Sequence, residues 1–159
     1  MKDTWSALFE PDSVAIIGAS SSPGRPGHEI IRNIRANHYE GRVHLVNPKG
    51  GEILGLPVAS SIDELPNGID QAVVIVSAAA TTDAVRQLAA KGVGTFVLAA
   101  GGYSEVDEHG EELQRDLAQT IKDLGVRAIG PNTSGHISMP HHYTSSFFPL
   151  GWIRPGNIS

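Results

Sequence analysis

The sequence contains no cysteine, no long apolar run and no excess of positive charge. Without cysteine, disulfides, thiolate nucleophiles and thiolate metal sites are excluded within these 159 residues. No stretch approaches the roughly 18 consecutive apolar residues that a membrane helix needs. The opening MKDTWSALFEPD does not match a signal peptide. The formal net charge of −5 provides no overall field that attracts nucleic acid. We therefore expect a soluble, cytoplasmic protein with neither a nucleic acid nor a membrane as partner.

The remaining composition is that of one globular domain. Charged residues make up 18% of the chain and apolar residues 40%, and the length allows a substantial buried core. The 18 glycines and 10 prolines stand mainly between apolar segments, which indicates turns rather than disorder. The seven histidines are scattered without ligand spacing, so we expect no metal site. No arrangement of serine, histidine and acid predicts a catalytic residue either.

One glycine-rich stretch has the organisation of a ligand-binding loop. Residues 13–27 read SVAIIGASSSPGRPG, an apolar strand that ends at Gly18 and is followed by small residues. A helix is predicted next, with Ile30, Ile31 and Ile34 on one face. Gly18 is expected to permit a sharp turn and the close approach of a ligand. The free N–H groups at the helix start favour an anion, so the stretch predicts a site for a phosphorylated ligand.

The rest of the chain alternates between predicted strands and helices. A short helix at 4–9 precedes the first strand, and a loop is predicted at 49–57. Further strands are predicted at 42–46, 72–76, 95–99 and 126–129. A helix capped by Thr81 or Thr82 ends at Gly92, and a longer one spans 108–124. This order predicts a Rossmann-like, doubly wound α/β fold, with a mostly parallel five-stranded sheet and helices on both faces.

The end of the chain follows a different pattern. Residues 1–139 form the predicted domain, whereas 140–159 are rich in proline and aromatic residues and show no helical period. We expect an extended segment there, with a further strand beginning at 157–159. The segment would lead to a second domain outside this chain.

The loop departs from two common nucleotide-binding motifs. The fingerprint G-x-G-x-x-G for NAD lacks its second glycine, because Ala19 and Ser20 follow Gly18. Lys49 stands near the end of the second strand, where NAD sites commonly carry an acid. A phosphate-binding loop of NTPases would need glycine at Pro23. Small residues with nearby cations suit a ligand with several phosphates, such as coenzyme A (CoA) or NADP.

Five ordered motifs resemble a known family. They are VAIIGASSSPGRPGHEIIRNI, VHLVNPKGGEILGLPVASSIDELP, IDQAVVIV, AAGGYSE and RAIGPNTSG. Together they resemble the CoA-binding domain of NDP-forming acyl-CoA synthetases, roughly over residues 6–139. That family includes the ADP-forming acetyl-CoA synthetases and the succinyl-CoA synthetase alpha subunit.

The resemblance implies a function for the whole protein. Acyl-CoA, NDP and phosphate would interconvert with acid, CoA and NTP through acyl phosphate and phosphohistidine. The phosphorylated histidine belongs to the family's second domain, so this chain alone is expected to bind CoA and catalyse nothing. ADP or ATP would enter only through domains outside this chain. The remaining synthetase domains or a beta subunit would be the protein partners.

The resemblance also implies roles for individual residues. The residues expected to contact CoA are Gly18, Ala19, Ser20, Ser21, Arg25, Lys49, Ser77, Ala78, Ala100, Gly101, Gly102 and Asn132. The first loop would hold the pantetheine and phosphate portion, and Lys49 would contact phosphate. Ser77 and Ala78 would line the adenine side, and residues 100–102 would shape the thiol end. Asn132 would face the phosphohistidine chemistry.

Two positions depart from the family pattern, and two other functions stay open. Thr133 stands where the family usually has cysteine, and His136 stands at a commonly apolar position. One alternative is a regulatory CoA-binding module fused to an acetyltransferase. The other is an NADP-binding domain of an oxidoreductase, which the missing second glycine disfavours.

Overall fold

Seven strands form the central sheet of this protein, whose computed structural model describes residues 3–154 and residue 156. Their bounds are Ser13–Ile17 (β1), Arg42–Val46 (β2), Glu52–Ile53 (β3), Leu56–Ala59 (β4), Gln71–Val74 (β5), Thr95–Leu98 (β6) and Arg127–Ile129 (β7). Across the sheet the order is β3-β4-β2-β1-β5-β6-β7. All neighbouring pairs are parallel except β3 and β4. The chain winds outward from β1 in both directions, so the switch point where ligands bind in such sheets lies between β1 and β5.

Four α-helices and a small hairpin complete the described architecture. The helices are Thr4–Phe9 (α1), Pro26–Ala36 (α2), Ala78–Ala90 (α3) and Glu108–Leu124 (α4). Short 3-10 turns occur at Ile62–Glu64 and Met139–His141, and the hairpin pairs Ile137–Ser138 (β8) with Tyr143–Thr144 (β9). Among the described residues, no helix combines the length and apolar character needed to cross a membrane.

The helices cover both faces of the sheet, as predicted. Successive side chains of a strand point to opposite faces, and β1 is buried throughout. Val14 and Ile16 pack into the core beneath α2, whereas Ala15 and Ile17 pack into the core beneath α3 and α4. The side chain of Gln71 donates hydrogen bonds to the carbonyls of Ala7 and Leu8, and this joins α1 to the start of β5. The doubly wound Rossmann-like prediction is confirmed.

The predicted number of five strands is wrong, because the predicted loop at 49–57 contains β3 and the beginning of β4. These strands pair as an antiparallel hairpin in which Leu54 and Gly55 adopt positive φ angles of 48° and 77°. β4 then pairs in parallel with β2. The three glycines of the segment predict a loop, and its strands are too short to show a period of their own. Pro57 cannot donate a backbone hydrogen bond and is tolerated chiefly at a sheet edge.

The start of α3 also differs from the prediction. The helix begins at Ala78 after Ser77, rather than at a cap formed by Thr81 or Thr82. The hydroxyl of Thr81 instead donates to the carbonyl of Ser77 at 3.0 Å, from within the helix. The helix therefore reaches closer to the end of β5 than the sequence indicated.

The segment after β7 folds back onto α2. Asn33 donates its amide to the carbonyls of Ser146 and Phe148. Asn37 donates to the carbonyl of Gly151 at 2.8 Å and accepts from the backbone N–H of Ile153 at 2.9 Å. The segment is thus held along one helix and contains the β8–β9 hairpin. The strand start predicted at 157–159 lies outside the described residues.

Candidate functional site

The predicted site residues all lie on loops or helix starts at the carboxyl edge of the parallel sheet. Residues 18–25 follow β1, Lys49 follows β2, and Ser77 and Ala78 begin α3 after β5. Residues 100–102 follow β6, and Asn132 follows β7. Because parallel strands end at the same edge, the fold gathers these segments on one side of the molecule.

Gly18 connects the first loop to both neighbouring strands. Its φ is +92°, and its backbone N–H and that of Ala19 both donate to the carbonyl of Val46 at 3.1 Å. A Cβ atom at Gly18 would lie 2.2 Å from the carbonyl oxygen of Ile75, just after β5. The expected sharp turn is present. The space that a side chain would need is occupied by the backbone of Ile75, so packing requires a glycine here, and the close approach of a ligand to Gly18 stays a prediction.

Gly27 brings the start of α2 against the end of β1. A Cβ atom at this position would lie 2.2 Å from the carbonyl oxygen of Gly18. This is the helix–strand packing role of the third glycine in a dinucleotide fingerprint, although the spacing here differs. The positive end of the α2 dipole therefore lies at the switch point.

The loop between β1 and α2 is held by its own hydrogen bonds. Glu29 accepts from the backbone N–H of Gly24 at 2.9 Å and pairs with Arg32 at 2.7 Å. The ring of the buried His28 bonds the carbonyl of Ser20 through Nδ1 at 3.2 Å. These contacts preorganise the loop, so a ligand would meet a formed surface rather than order it.

Asn47 joins the loop after β2 to the loop after β1. Its amide donates to the carbonyl of Ala19 at 2.7 Å, and its Oδ1 accepts from the backbone N–H of Lys49 at 2.9 Å. The Lys49 side chain is exposed on the resulting turn. The positively charged Lys49 side chain therefore extends from a turn that Asn47 connects to the first loop by a hydrogen bond.

The loops after β6 and β7 meet at a carboxylate. Oε1 of Glu105 accepts from the backbone N–H of Gly102 at 2.8 Å and from the amide of Asn132 at 3.1 Å. The hydrogen bond from Gly102 is the main reason that the pKa of the Glu105 carboxyl is lowered. On the other side, a Cβ atom at Gly102 would contact the methyl of Ala78 at 3.5 Å. These contacts bring together the predicted thiol-end loop, Asn132 and the start of α3.

The predicted residues divide by how they can meet a ligand. The side chains of Ala19, Ala78 and Ala100 are buried in the two cores, so only their backbone can contact a bound molecule. The exposed members are Ser21, Arg25, Lys49, Ser77, Gly101 and Asn132. Polar recognition by side chains therefore falls to the polar members of the second group and to the half-buried Ser20.

Two cavities lie away from this edge. One of about 640 Å³ lies at the amino edge, between the starts of β1 and β2, and is lined by residues that include Asp12, Tyr39 and Arg42. There the hydroxyl of Tyr39 donates to the carbonyl of Pro11 at 2.7 Å, and burial raises the pKa of Tyr39. The other, of about 530 Å³, lies between α1 and β7. Among the described residues, no group of three or more His, Asp or Glu side chains is placed to hold a metal ion.

Sequence reasoning missed Asn47 and Glu105. Asn47 precedes a proline directly after a predicted strand, a position typical of a side chain that bonds its own turn. Glu105 follows the two glycines of the AAGGYSE motif, and its partner Asn132 is 27 residues away. Local pattern contained a signal for Asn47, whereas the Glu105 contact depends on the adjacency of β6 and β7.

Comparisons with known proteins agree with this geometry. Residues 12–138 match the family model described as a CoA binding domain. An ADP-forming acetate–CoA ligase II from Archaeoglobus fulgidus is 36% identical over 151 residues, which cover 95% of this chain and 22% of that protein. The alpha subunit of an ADP-forming acetate–CoA ligase I from Pyrococcus furiosus is 35% identical, with 96% of this chain and 34% of the subunit covered.

A solved structure gives the same result. The apo form of a dinucleotide-forming acetyl-coenzyme A synthetase 1 from Ca. Korarchaeum cryptofilum superimposes with a TM-score of 0.83 at 30% identity. The match covers 89% of this chain and 31% of that one. The chain thus spans about a fifth to a third of the relatives described. The resemblance predicted from the five motifs is confirmed, and the chain belongs to the family of CoA-binding domains, in the form found in ADP-forming acetyl-CoA synthetases.

Proposed function

We propose that this chain binds CoA along the carboxyl edge of its sheet, with the phosphates at the switch point between β1 and β5. The observation that supports this most is a difference among the four described α-helices. Asp3 caps α1 and Asp107 caps α4 through side-chain hydrogen bonds, whereas α2 and α3 have no side-chain cap. The two uncapped helices start at the switch point, where their first N–H groups and dipoles favour an anion.

The charges at this edge suit a phosphorylated ligand. Arg25 precedes α2 and Lys49 follows β2, and both are exposed. The acidic side chain of Glu29 in the first turn of α2 is buried and paired with Arg32, which reduces its repulsion of a phosphate. CoA carries a pyrophosphate and a 3′-phosphate, and the two cations and the two helix ends offer positive charge complementary to these phosphates.

In a longer protein this chain would serve as the CoA-binding part of an NDP-forming acyl-CoA synthetase. The relatives with that activity extend well beyond the region matched here. ADP or ATP, the acyl group and the phosphorylated histidine would be handled by other synthetase domains or by a beta subunit. The role of this chain would be to hold CoA and orient its thiol, without a catalytic residue of its own.

Calorimetric titration with CoA, and separately with NADPH, tests the proposal. We expect CoA to bind with a dissociation constant on the order of micromolar, about −8 kcal/mol, and NADPH to give no heat. Binding of NADPH alone would favour the oxidoreductase alternative and contradict the proposal. The absence of a binding signal with either ligand would contradict CoA binding by this chain on its own.

A further inference from the structure

We propose that Glu105 is a positioning residue, which holds the loop after β6 against the loop after β7 and so shapes the thiol end of the CoA site. The inference rests on the proposed function, because the resemblance to CoA synthetases is what places the thiol at these loops. No role for Glu105 follows from the motifs, which implicate only its neighbours at 100–102 and Asn132.

One carboxylate oxygen makes both connections. Oε1 of Glu105 accepts from Gly102 in its own loop and from Asn132 in the adjacent one, at 2.8 and 3.1 Å. The side chain is exposed, so it does not fill the core. Its contribution is therefore the connection between two loops rather than burial.

The backbone at this junction has positive φ angles in both loops. Gly102 and Asn132 have φ angles of +103° and +56°, which lie in the left-handed region. A Cβ atom at Gly101 would lie 3.6 Å from Oε1 of Glu105 and also 3.6 Å from Oδ1 of Asn132. Gly102 and Asn132 thus both donate to the carboxylate, and Gly101 lies beside it. Without it, a ligand that contacts these loops would have to order them on binding, which costs affinity.

The position of the carboxylate separates it from the phosphates. Glu105 follows β6, whereas Arg25 and Lys49 lie after β1 and β2, on the other side of the switch point. The pantetheine arm and thiol of CoA are uncharged at neutral pH, so a nearby carboxylate does not repel them. Loss of Glu105 should therefore affect the pantetheine portion and spare the nucleotide portion.

This difference gives the test, performed on the 159-residue chain. Wild type, Glu105→Ala and Glu105→Gln are titrated with CoA and with adenosine 3′,5′-bisphosphate, which lacks the pantetheine arm. We expect Glu105→Ala to lower the affinity for CoA about tenfold and the affinity for the bisphosphate less than about twofold. Glu105→Gln should restore CoA binding, because its amide oxygen can accept the same two hydrogen bonds. Glu40→Ala, which removes an exposed carboxylate at the opposite edge, serves as the matched control.

Amide hydrogen exchange of the ligand-free chain provides a second readout. The Gly102 N–H should exchange faster in Glu105→Ala and at the wild-type rate in Glu105→Gln. Unchanged CoA affinity in Glu105→Ala, or equal loss for both ligands, would overturn the positioning role while leaving the proposed function intact. Failure of the wild type to bind CoA would instead overturn the proposed function, and this inference with it.

Discussion

The carbonyl oxygen of Ile75 occupies the place that a side chain at Gly18 would need, only 2.2 Å from the Cβ position. The two residues directly follow the adjacent parallel strands β1 and β5, on either side of the switch point. The glycine is therefore required by the junction of the two strands as well as by its φ of +92°. Folding of the sheet and formation of the ligand loop depend on the same contact.

Gly18→Ala should destabilise the fold itself. Backbone strain at a positive φ and overlap with the Ile75 carbonyl should together cost about 3 kcal/mol or more. Chemical denaturation monitored by circular dichroism measures this loss. The control is Gly94→Ala, where a Cβ meets no atom within 4 Å. A Gly18→Ala variant with wild-type stability and no affinity for CoA would show instead that the glycine serves only ligand approach.

His136 should make stability depend on pH. Its Nε2 bonds the carbonyl of Leu8 and its Nδ1 bonds the hydroxyl of Ser145, both at 2.9 Å, and burial lowers the pKa of the imidazole. The folded state therefore binds fewer protons than the unfolded state below the unfolded pKa of about 6.5. The contribution of His136 to the free energy of unfolding is fully present above that pH. It decreases as the pH falls toward the lowered pKa of the folded state. We expect the melting temperature to decrease between pH 7.5 and 5.5 because of this group.

Substitution of His136 tests this directly. His136→Gln should reduce the dependence of the melting temperature on pH. A smaller dependence should remain from His44, whose pKa is lowered by burial and by Arg42. His109→Gln, on the exposed face of α4, should keep the wild-type slope. An unchanged slope in His136→Gln would contradict the assignment.

Asn37 should hold the segment after β9 on α2. Asn37→Ala leaves the carbonyl of Gly151 and the N–H of Ile153 without their side-chain partner, at an expected cost of about 1–3 kcal/mol. Hydrogen exchange should show lost protection at the Ile153 amide, while the amides of β1 keep theirs. The exposed Asn67→Ala is the control. Retained protection at Ile153 would show that other contacts hold the segment.

Lys49 should distinguish CoA from dephospho-CoA if it contacts the 3′-phosphate. Lys49→Ala is then expected to weaken CoA about tenfold, because a charge-assisted hydrogen bond is lost, and to leave dephospho-CoA almost unchanged. Lys122→Ala, an exposed lysine on α4, controls for the change in net charge. Equal losses of affinity for both ligands in calorimetry would indicate that Lys49 contacts the pyrophosphate. Unchanged affinity for both would show that Lys49 does not contact CoA.

The predictable parts of the fold were those with a local signal. Val14 to Ile17 form an apolar run with a glycine at its end, and that pattern alone indicates a buried strand and a turn. The helix predicted over 108–124 has the same bounds as α4, and Gly125, which follows it, adopts the left-handed conformation. By contrast, β3 has two residues and pairs only with β4, so it shows no period that a sequence pattern can detect.

The site was predictable in its location but not in its contacts. Loops at strand ends meet at one edge in any parallel sheet, so the placement of Lys49 near the first loop followed from the order of strands. The contact of Gly18 with Ile75 and the hydrogen bond that Asn132 donates to Glu105 join residues distant in sequence. They depend on which strands are neighbours and on their register, information that no local pattern contains.

Amide chemical shifts of a uniformly ¹⁵N-labelled sample, recorded with and without CoA, show most directly where CoA binds on this chain. Binding at the carboxyl edge predicts that the shifted amides cluster at residues 18–25, at Lys49, at Ser77 and at Gly101 and Gly102. Amides around the amino-edge cavity, such as those of Glu40 and Arg42, should stay unchanged. Shifts confined to that cavity, or the absence of any shift at the carboxyl edge at saturating CoA, would contradict CoA binding at this edge.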